Sequence, residues 1–251
     1  MKALKQLLWG TTAAAMLTGC MAPGTVGSPQ GASVRAGDYI VTLISAQEPH
    51  MIDISGRGTK GNGYRISLLL ISVRDGSRRV VPVGRNIELP SIGGRILGDD
   101  PAQGMVWFQV HENMAYDYRN HRLLHERELP RGGGPPNPAR LSDPSSVDKY
   151  LDPAGSELRA KYPKASYIRG SAPGLYTYLT KPGLYGTVVI ASTNWTLETG
   201  LYKLDQILPT PSQLAVIGTY PPIPDKLPEP FLLIIDTRTG QISAKHSLWV
   251  P

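Results

Sequence analysis

The sequence predicts a mainly β domain, arranged as a β-sandwich or in a barrel-like way, with one or two helices; an α+β fold is the alternative. Three observations support this prediction. Short runs rich in β-branched and aromatic residues recur along the chain, and turn signals separate them. No internal repeat of fixed period indicates a propeller or a solenoid.

The first predicted strands lie between residues 39 and 83. Tyr39–Ser45 is β-branched and aromatic, and Tyr64–Val73 has a continuous apolar centre that predicts burial on both faces. An Asp-Gly turn signal at 75–76 and the run Arg79–Val83 follow, which together predict a β-hairpin. Pro82 cannot donate a ladder hydrogen bond, so we expect the second strand of this hairpin at a sheet edge.

The middle of the chain is less regular. Met105–His111 predicts a further strand, whereas Asn113–Leu129, with two adjacent leucines and many charges, is a candidate helix. Pro130–Pro144 is too rich in proline and glycine for regular structure, and is either a long loop or a linker between two lobes. Ser145–Tyr162 is the best helix candidate, although Pro153 must interrupt it or begin part of it.

The C-terminal third returns to strands, which are expected at 184–192, 213–220, 231–236 and 241–249. Gly240 can supply the positive φ of a short hairpin loop with a bulge between the last two of them. The segment 221–230 carries five prolines and is expected to be extended at the surface.

The first twenty residues have the pattern of an export signal. Lys2 and Lys5 precede an apolar run of about eleven residues, Leu7–Leu17, whereas a bilayer span takes about 20. The segment ends in Leu-Thr-Gly-Cys at 17–20, and Cys20 is the only cysteine of the chain. This ending resembles the lipobox of bacterial lipoproteins, in which a small residue precedes the acylated cysteine.

The resemblance covers these twenty residues alone and implies a role for Cys20 only. It implies that the Cys20 thiol receives a diacylglycerol, that the preceding peptide bond is cut, and that the new amino group is open to acylation. Several acyl chains together hold a protein firmly in a membrane. Met21 stands where an Asp would signal retention at the inner membrane, so the expected location is the outer membrane, with the domain facing the periplasm.

Residues 20–37 are expected to form the lipidated, flexible tether. They are rich in Gly, Pro, Ser and Ala and carry a single charge, Arg35, a composition that cannot bury a core. The remaining residues, 38–251, are ample for a single β-rich domain, in which the interruption at 130–144 is the one candidate boundary between lobes.

Charge and cysteine content limit the partners. Loss of Lys2 and Lys5 with the signal leaves 24 basic and 20 acidic residues, a net charge of +4. The basic residues are scattered, and their densest cluster is Arg74, Arg78 and Arg79, so no nucleic-acid partner is expected. Acylation of Cys20 leaves no thiol for a disulfide or a cysteine-ligated metal, and stability must come from burial.

Two histidines have a spacing found in metal sites. His121 and His125 would share one face of a helix, as in metalloproteases, and Glu112 and Glu126 could add a ligand or a base. Arg122, however, stands where those enzymes have a glutamate. A solvated, charged face fits this segment better, so no metal and no other cofactor is expected, and no catalytic residue is assigned.

Aromatic residues crowd into one region beside glycine and proline turns. Within 27 residues the chain carries Tyr176, Tyr178, Tyr185, Trp195 and Tyr202. Such side chains bring a large contact area at low entropic cost, and they predict a partner-binding face. The alternative is a β-sheet core with tyrosine hydroxyls at its rim.

These features favour a non-catalytic envelope lipoprotein that binds a protein partner. It would be an accessory subunit of a secretion or assembly machine, or an immunity-type inhibitor, attached to the membrane through its lipid. The alternative is a lipid-anchored periplasmic hydrolase acting on cell wall, glycan or lipid, because paired carboxylates leave no short sequence signature. A third possibility is carriage of a small apolar ligand inside a β-barrel.

Overall fold

The computed structural model describes residues 27–47, 63–87, 94–130, 133–139, 160, 167–172, 175–179, 186–192, 194–210, 212–222 and 228–250. Their strands form four antiparallel sheets. The first contains β1 (Ser28–Ala36), β2 (Tyr39–Gln47), β3 (Tyr64–Ser72) and β4 (Arg78–Ile87), in chain order. The second contains β5 (Arg95–Asp100), β6 (Met105–Gln109), β7 (Asn113–Asp117), β8 (Arg122–Leu124) and β9 (Asn137–Pro138), in the order β8-β7-β6-β5-β9.

The other two sheets follow chain order. The third contains β10 (Tyr167–Ala172), β11 (Leu175–Leu179), β12 (Val188–Ser192) and β13 (Thr196–Glu198). The fourth contains β14 (Lys203–Pro209), β15 (Gln213–Thr219), β16 (Pro230–Asp236) and β17 (Ile242–Ser247). The prediction of a mainly β fold is therefore confirmed.

The sheets stack in the order second, first, fourth, third. In β3, Leu68 and Leu70 belong to a core shared with the second sheet, whereas Leu69 and Ile71 belong to a core shared with the fourth. The fourth sheet is likewise covered on both faces, because the alternate residues of β15 and β16 that face away from the first sheet pack on the third. The two central sheets are thus buried on both faces, as the continuous apolar centre of β3 predicts.

Both predicted hairpins are present. β3 and β4 are joined through a turn at 73–77, and β4 lies at the edge of the first sheet, as Pro82 requires. β16 and β17 pair across a turn in which Gly240 has a φ of 70°. Local turn chemistry therefore predicted these two connections correctly.

The prediction of a helix at 113–129 is wrong. This segment forms β7, β8 and a three-residue 3-10 turn, Glu126–Glu128, and the described residues contain no helix of seven or more residues. The carboxylate of Asp117 accepts hydrogen bonds from the backbone N–H groups of Arg119 and Asn120, both at 2.9 Å, and so fixes a tight turn after β7. The second helix candidate, Ser145–Tyr162, lies outside the described residues except for residue 160.

Part of the segment predicted as a tether is a strand. Ser28–Ala36 form β1, which pairs with β2 and buries Ala32, Val34 and Ala36. Small side chains give little sign of burial by composition, but here they lie under the second sheet. The rest of the predicted tether before Gly27, together with Cys20, lies outside the described residues.

A buried glutamine joins β1 to β14. Gln206, which is 3% exposed, accepts a hydrogen bond from the Ser33 backbone N–H at 2.7 Å and donates from Nε2 to the Ser33 carbonyl at 2.9 Å. The side-chain amide thereby takes the place of a neighbouring strand for one residue of β1, and links the first sheet to the fourth.

Among the described residues, no helix has the length and apolar character needed to cross a bilayer.

Gly240→Ala is expected to destabilise the domain by about 2–3 kcal/mol. The left-handed φ of 70° disfavours a side chain, and a Cβ at this position would lie 2.5 Å from Cδ2 of Trp195. Gly134→Ala is the matched control, because no atom lies within 4 Å of its Cβ position. Urea denaturation of both variants measures the difference, and equal midpoints would contradict the packing of Trp195 against this turn.

His246 makes the stability of the domain depend on pH. Burial and then the charge of Arg78 lower its pKa below the usual 6.5, and its Nε2 is buried with no hydrogen-bond partner among the described residues. The unfolded chain takes up the proton near pH 6.5, whereas the folded protein resists it. The stability contributed by neutral His246 is therefore complete above about pH 6.5 and is lost as the pH falls toward the folded-state pKa.

We accordingly expect His246→Phe to flatten the pH dependence of unfolding. Urea midpoints measured between pH 7.5 and pH 5 are expected to fall less in the variant than in the wild type, because the variant has lost this proton uptake. Parallel curves for the two proteins would show that His246 is not the group responsible.

Candidate functional site

The outer face of the second sheet carries a small core of its own. In β6, Val106 and Phe108 face the first sheet, so Trp107 between them points to the opposite side. There Trp107, 3% exposed, packs with Ala115 of β7 and Leu124 of β8. No further sheet covers this side among the described residues.

The chain after β8 folds back over this face and forms a groove of about 640 Å³. Its floor comes from the strands, and its wall from the 3-10 turn and the proline- and glycine-rich segment that follows. The groove is lined by Leu97, Trp107, Asn113, Glu126, Arg127, Leu129, Pro130, Gly133, Gly134 and Pro135. A volume of this size lies within the range of ligand-binding pockets.

Backbone and side-chain hydrogen bonds hold the wall in place. The Glu128 carboxylate accepts from the backbone N–H of His125 at 3.0 Å and from the guanidinium of Arg122. The His125 N–H, followed by Arg122, holds the pKa of Glu128 below its usual value. Farther along, the Gly133 N–H donates to the Pro130 carbonyl at 2.9 Å, and β9 pairs with β5.

The floor of the groove includes a buried polar group. The indole N–H of Trp107 has no hydrogen-bond acceptor among the described residues. The ring lies close under the wall, since a Cβ at Gly133 would be 3.2 Å from its Cη2 atom. The floor is otherwise apolar, and consists of Trp107 with Leu97 and Leu129.

Polar side chains occupy the rim. The amide of Asn113 donates to the Glu126 carboxylate at 3.4 Å, and both residues line the groove. Arg127 is exposed beside them and forms no ion pair with another described residue. The groove thus offers an apolar floor with one negative and one positive charge at its edge.

A carboxylate–imidazole pair lies next to the groove. Oε1 of Glu112 is 2.8 Å from Nδ1 of His125 and 3.7 Å from Nε2 of His111. A carboxylate at Nδ1 fixes the tautomer and orientation of an imidazole, and leaves Nε2 of His125 available for proton transfer. Among the described residues, this pair is the best candidate for general acid–base catalysis.

The two histidines with metal-site spacing do not meet. His121 lies on the turn after β7 with a φ of 56°, and its Nδ1 is 3.4 Å from the Tyr116 hydroxyl. His125 is instead directed to Glu112. In the part of the chain that the structure describes, no three His, Cys, Asp or Glu side chains form a group able to hold a metal ion.

The predicted aromatic face is only partly described. Tyr176 and Tyr178 lie in β11, opposite Ala191 and Val189 of β12, and Tyr185 lies outside the described residues. The indole N–H of Trp195 donates to the Thr237 carbonyl at 2.7 Å, and the ring packs on the core between the third and fourth sheets.

Tyr202 is half-buried, and its backbone N–H donates to the Thr219 carbonyl at 3.0 Å. The indole N–H of Trp195 is therefore hydrogen-bonded within the domain. This is the role expected if the aromatic residues belong to a β-sheet core rather than to a partner-binding face. The partner-binding face itself stays a prediction.

Sequence reasoning did not find the groove, although part of its signal was present. The apolar run 105–108 indicates two buried faces for β6, and hence a covering layer over Trp107. The proline- and glycine-rich interruption supplies that layer, which its composition alone does not predict.

Comparison of the chain with known protein families, with curated proteins and with solved structures finds no match. The groove and the neighbouring carboxylate–imidazole pair are therefore interpreted from their own chemistry.

Proposed function

We propose that this protein is an envelope lipoprotein that is anchored through Cys20 and binds a partner protein in the groove of the second sheet. The observation that carries the proposal is the groove itself, with its apolar floor and its charged rim. As an accessory subunit of a secretion or assembly machine, or as an immunity-type inhibitor, the protein would present this groove toward the periplasm.

The groove has the composition of the energetic centre of an interface. Tryptophan and arginine are enriched where a few residues supply most of the binding energy, and Trp107 and Arg127 lie together here. An apolar floor within a polar rim also matches the anatomy of protein interfaces. We therefore expect an apolar side chain of the partner in the groove, whose floor Trp107 supports, and an acidic group of the partner near Arg127.

Capture from detergent-solubilised envelope with the intact lipidated protein tests this function. One stoichiometric partner is expected, and its capture must depend on the groove. A partner retained equally by variants of the groove would contradict the proposed binding site, and the absence of any partner would contradict the proposed function.

The Glu112–His125 pair favours a second function, that of a lipid-anchored hydrolase of cell wall, glycan or lipid. In that case His125 would act as the general base, oriented by Glu112 at 2.8 Å. Hydrolysis of purified envelope fractions by the wild type, and its loss by about 100-fold or more in His125→Gln, would support the enzyme. Equal product release from both proteins would exclude this role for the pair.

A further inference from the structure

Gly27 and Val250 form an isolated antiparallel bridge. The Gly27 N–H donates to the Val250 carbonyl at 2.9 Å, and the Val250 N–H donates back at 3.4 Å. Gly27 is buried, since a Cβ there would lie 2.5 Å from Cγ2 of Ile44. Cys20 precedes this fixed point by seven residues in the sequence.

The densest basic cluster of the sequence reaches the same junction. Nη2 of Arg78 donates to the Trp249 carbonyl at 2.9 Å, and Trp249 precedes Val250. Arg78, Arg79 and Val80 are exposed on edge strand β4. Arg78 and Val80, the latter 43% exposed, project on the side of the fourth sheet and Arg79 on the opposite side, so the three side chains flank the free edge of the strand. Arginine, an exposed aliphatic residue and a half-buried tryptophan are side chains that suit a membrane surface.

The neighbouring charges leave this patch positive. Arg74 is paired with Asp38 at 2.9 Å, so these two charges cancel. The backbone N–H of Ser77 lowers the pKa of Asp75 to about 2, so this carboxylate is ionised and offsets one arginine.

Burial lowers the pKa of His246, which lies close to this patch on β17 of the fourth sheet. Arg78 and Arg79 together therefore leave an excess positive charge at this edge.

The short segment between Cys20 and Gly27 limits the distance between this junction and the membrane. Seven residue steps separate Cys20 from Gly27, and a fully extended chain of that length reaches about 25 Å. Four stacked sheets, each about 10 Å from the next, make the domain wider than its tether is long. A lipid on Cys20 thus holds the surface around Val250 toward the bilayer.

We propose that the β4 surface formed by Arg78, Arg79 and Val80 docks on the anionic headgroups of the membrane that holds Cys20. This inference rests on the lipid anchor of the proposed function, but it does not depend on the groove. Docking fixes the orientation of the domain and holds its edge strand β4 against the lipid.

A single spin label tests the docking directly. With Cys20 acylated the chain has no free thiol, so Val80→Cys introduces one site for a nitroxide. Arg238→Cys is the matched control, because that side chain is 86% exposed on the turn between β16 and β17. The lipidated proteins are placed in vesicles of phosphatidylethanolamine with one-third phosphatidylglycerol, or of phosphatidylcholine alone.

In the anionic vesicles we expect dissolved oxygen to enhance the spin relaxation of the nitroxide at 80, as it does for labels at headgroup depth. For the nitroxide at 238 we expect an aqueous nickel chelate to enhance the relaxation instead. Adding Arg79→Gln to Val80→Cys is expected to reduce the docked fraction about fivefold, and adding Arg78→Gln a further fivefold. Arg79 forms no ion pair with another described residue, so its variant keeps the fold.

Three results would overturn the inference. A label at 80 that stays aqueous in both vesicles, while the protein floats with them, refutes docking and leaves the anchor intact. Docking that is equal in both lipid compositions refutes the role of the arginines. A protein that does not float with vesicles refutes the anchor, and with it both this inference and the proposed location.

Discussion

Replacing Gln206 by methionine is expected to destabilise the domain by about 2–6 kcal/mol. Methionine keeps the length of the side chain but removes both hydrogen bonds to Ser33, which measure 2.7 and 2.9 Å. The backbone N–H and carbonyl of Ser33 then stay buried without these partners, and each such group costs about 1–3 kcal/mol. The substitution therefore weakens the contact that joins β1 to β14.

Urea denaturation of the wild type and the variant measures this effect. Gln103→Met is the matched control, because Gln103 is exposed on the turn between β5 and β6, and a change within about 0.5 kcal/mol is expected there. If Gln206→Met unfolds at the same urea concentration as Gln103→Met, the amide bridge does not stabilise the packing of the first sheet against the fourth.

The burial of β3 on both faces was predictable because its signal is local. Seven consecutive residues of β3, Ile66–Ser72, are buried, and a strand buried on both faces must be apolar at odd and even positions alike. The two hairpins were predictable for a similar reason. An Asp-Gly pair and a glycine with positive φ determine the turn within four or five residues, whatever lies around them.

The errors occur where distant contacts decide the structure. Segment 113–129 carries leucines and charges that suit a helix, yet Asp117 closes a turn and Met114 and Tyr116 pack into the core shared with the first sheet. β1 has the composition of a tether, and its burial depends on β2 beside it and on Gln206, 173 residues farther along the chain. A short stretch of sequence contains only one partner of each of these contacts, so it cannot reveal them.

The groove depends still more on long-range assembly. Trp107 and Leu97 come from neighbouring strands, and Leu129 comes from the chain that folds back after β8. Each residue lies in an ordinary local sequence, so no sequence motif indicates the groove. The role proposed for Cys20 is the opposite case, because it is inferred from twenty contiguous residues and from no tertiary contact.

Charge reversal at the rim of the groove is expected to weaken partner binding strongly while the fold is kept. Arg127→Glu is expected to reduce capture at least tenfold, because the variant would repel the acidic group that we propose on the partner. Arg127 is exposed and forms no ion pair with another described residue, so the urea midpoint is expected to change by less than about 0.5 kcal/mol. Arg238→Glu makes the same charge change on a distant turn and is the control.

A second variant separates apolar packing from charge. Trp107→Phe keeps an aromatic side chain in the floor but shortens it and removes the indole N–H, which has no acceptor among the described residues. Because little hydrogen bonding is lost within the domain, stability is expected to fall only by the packing term, about 1–2 kcal/mol. Capture is nevertheless expected to weaken several-fold, because the shorter side chain changes the shape of the groove floor against which the partner packs. If Arg127→Glu and Trp107→Phe both capture as much partner as Arg238→Glu, the groove is not the binding site, whereas loss in Arg127→Glu alone would assign the binding energy to the rim rather than to the floor.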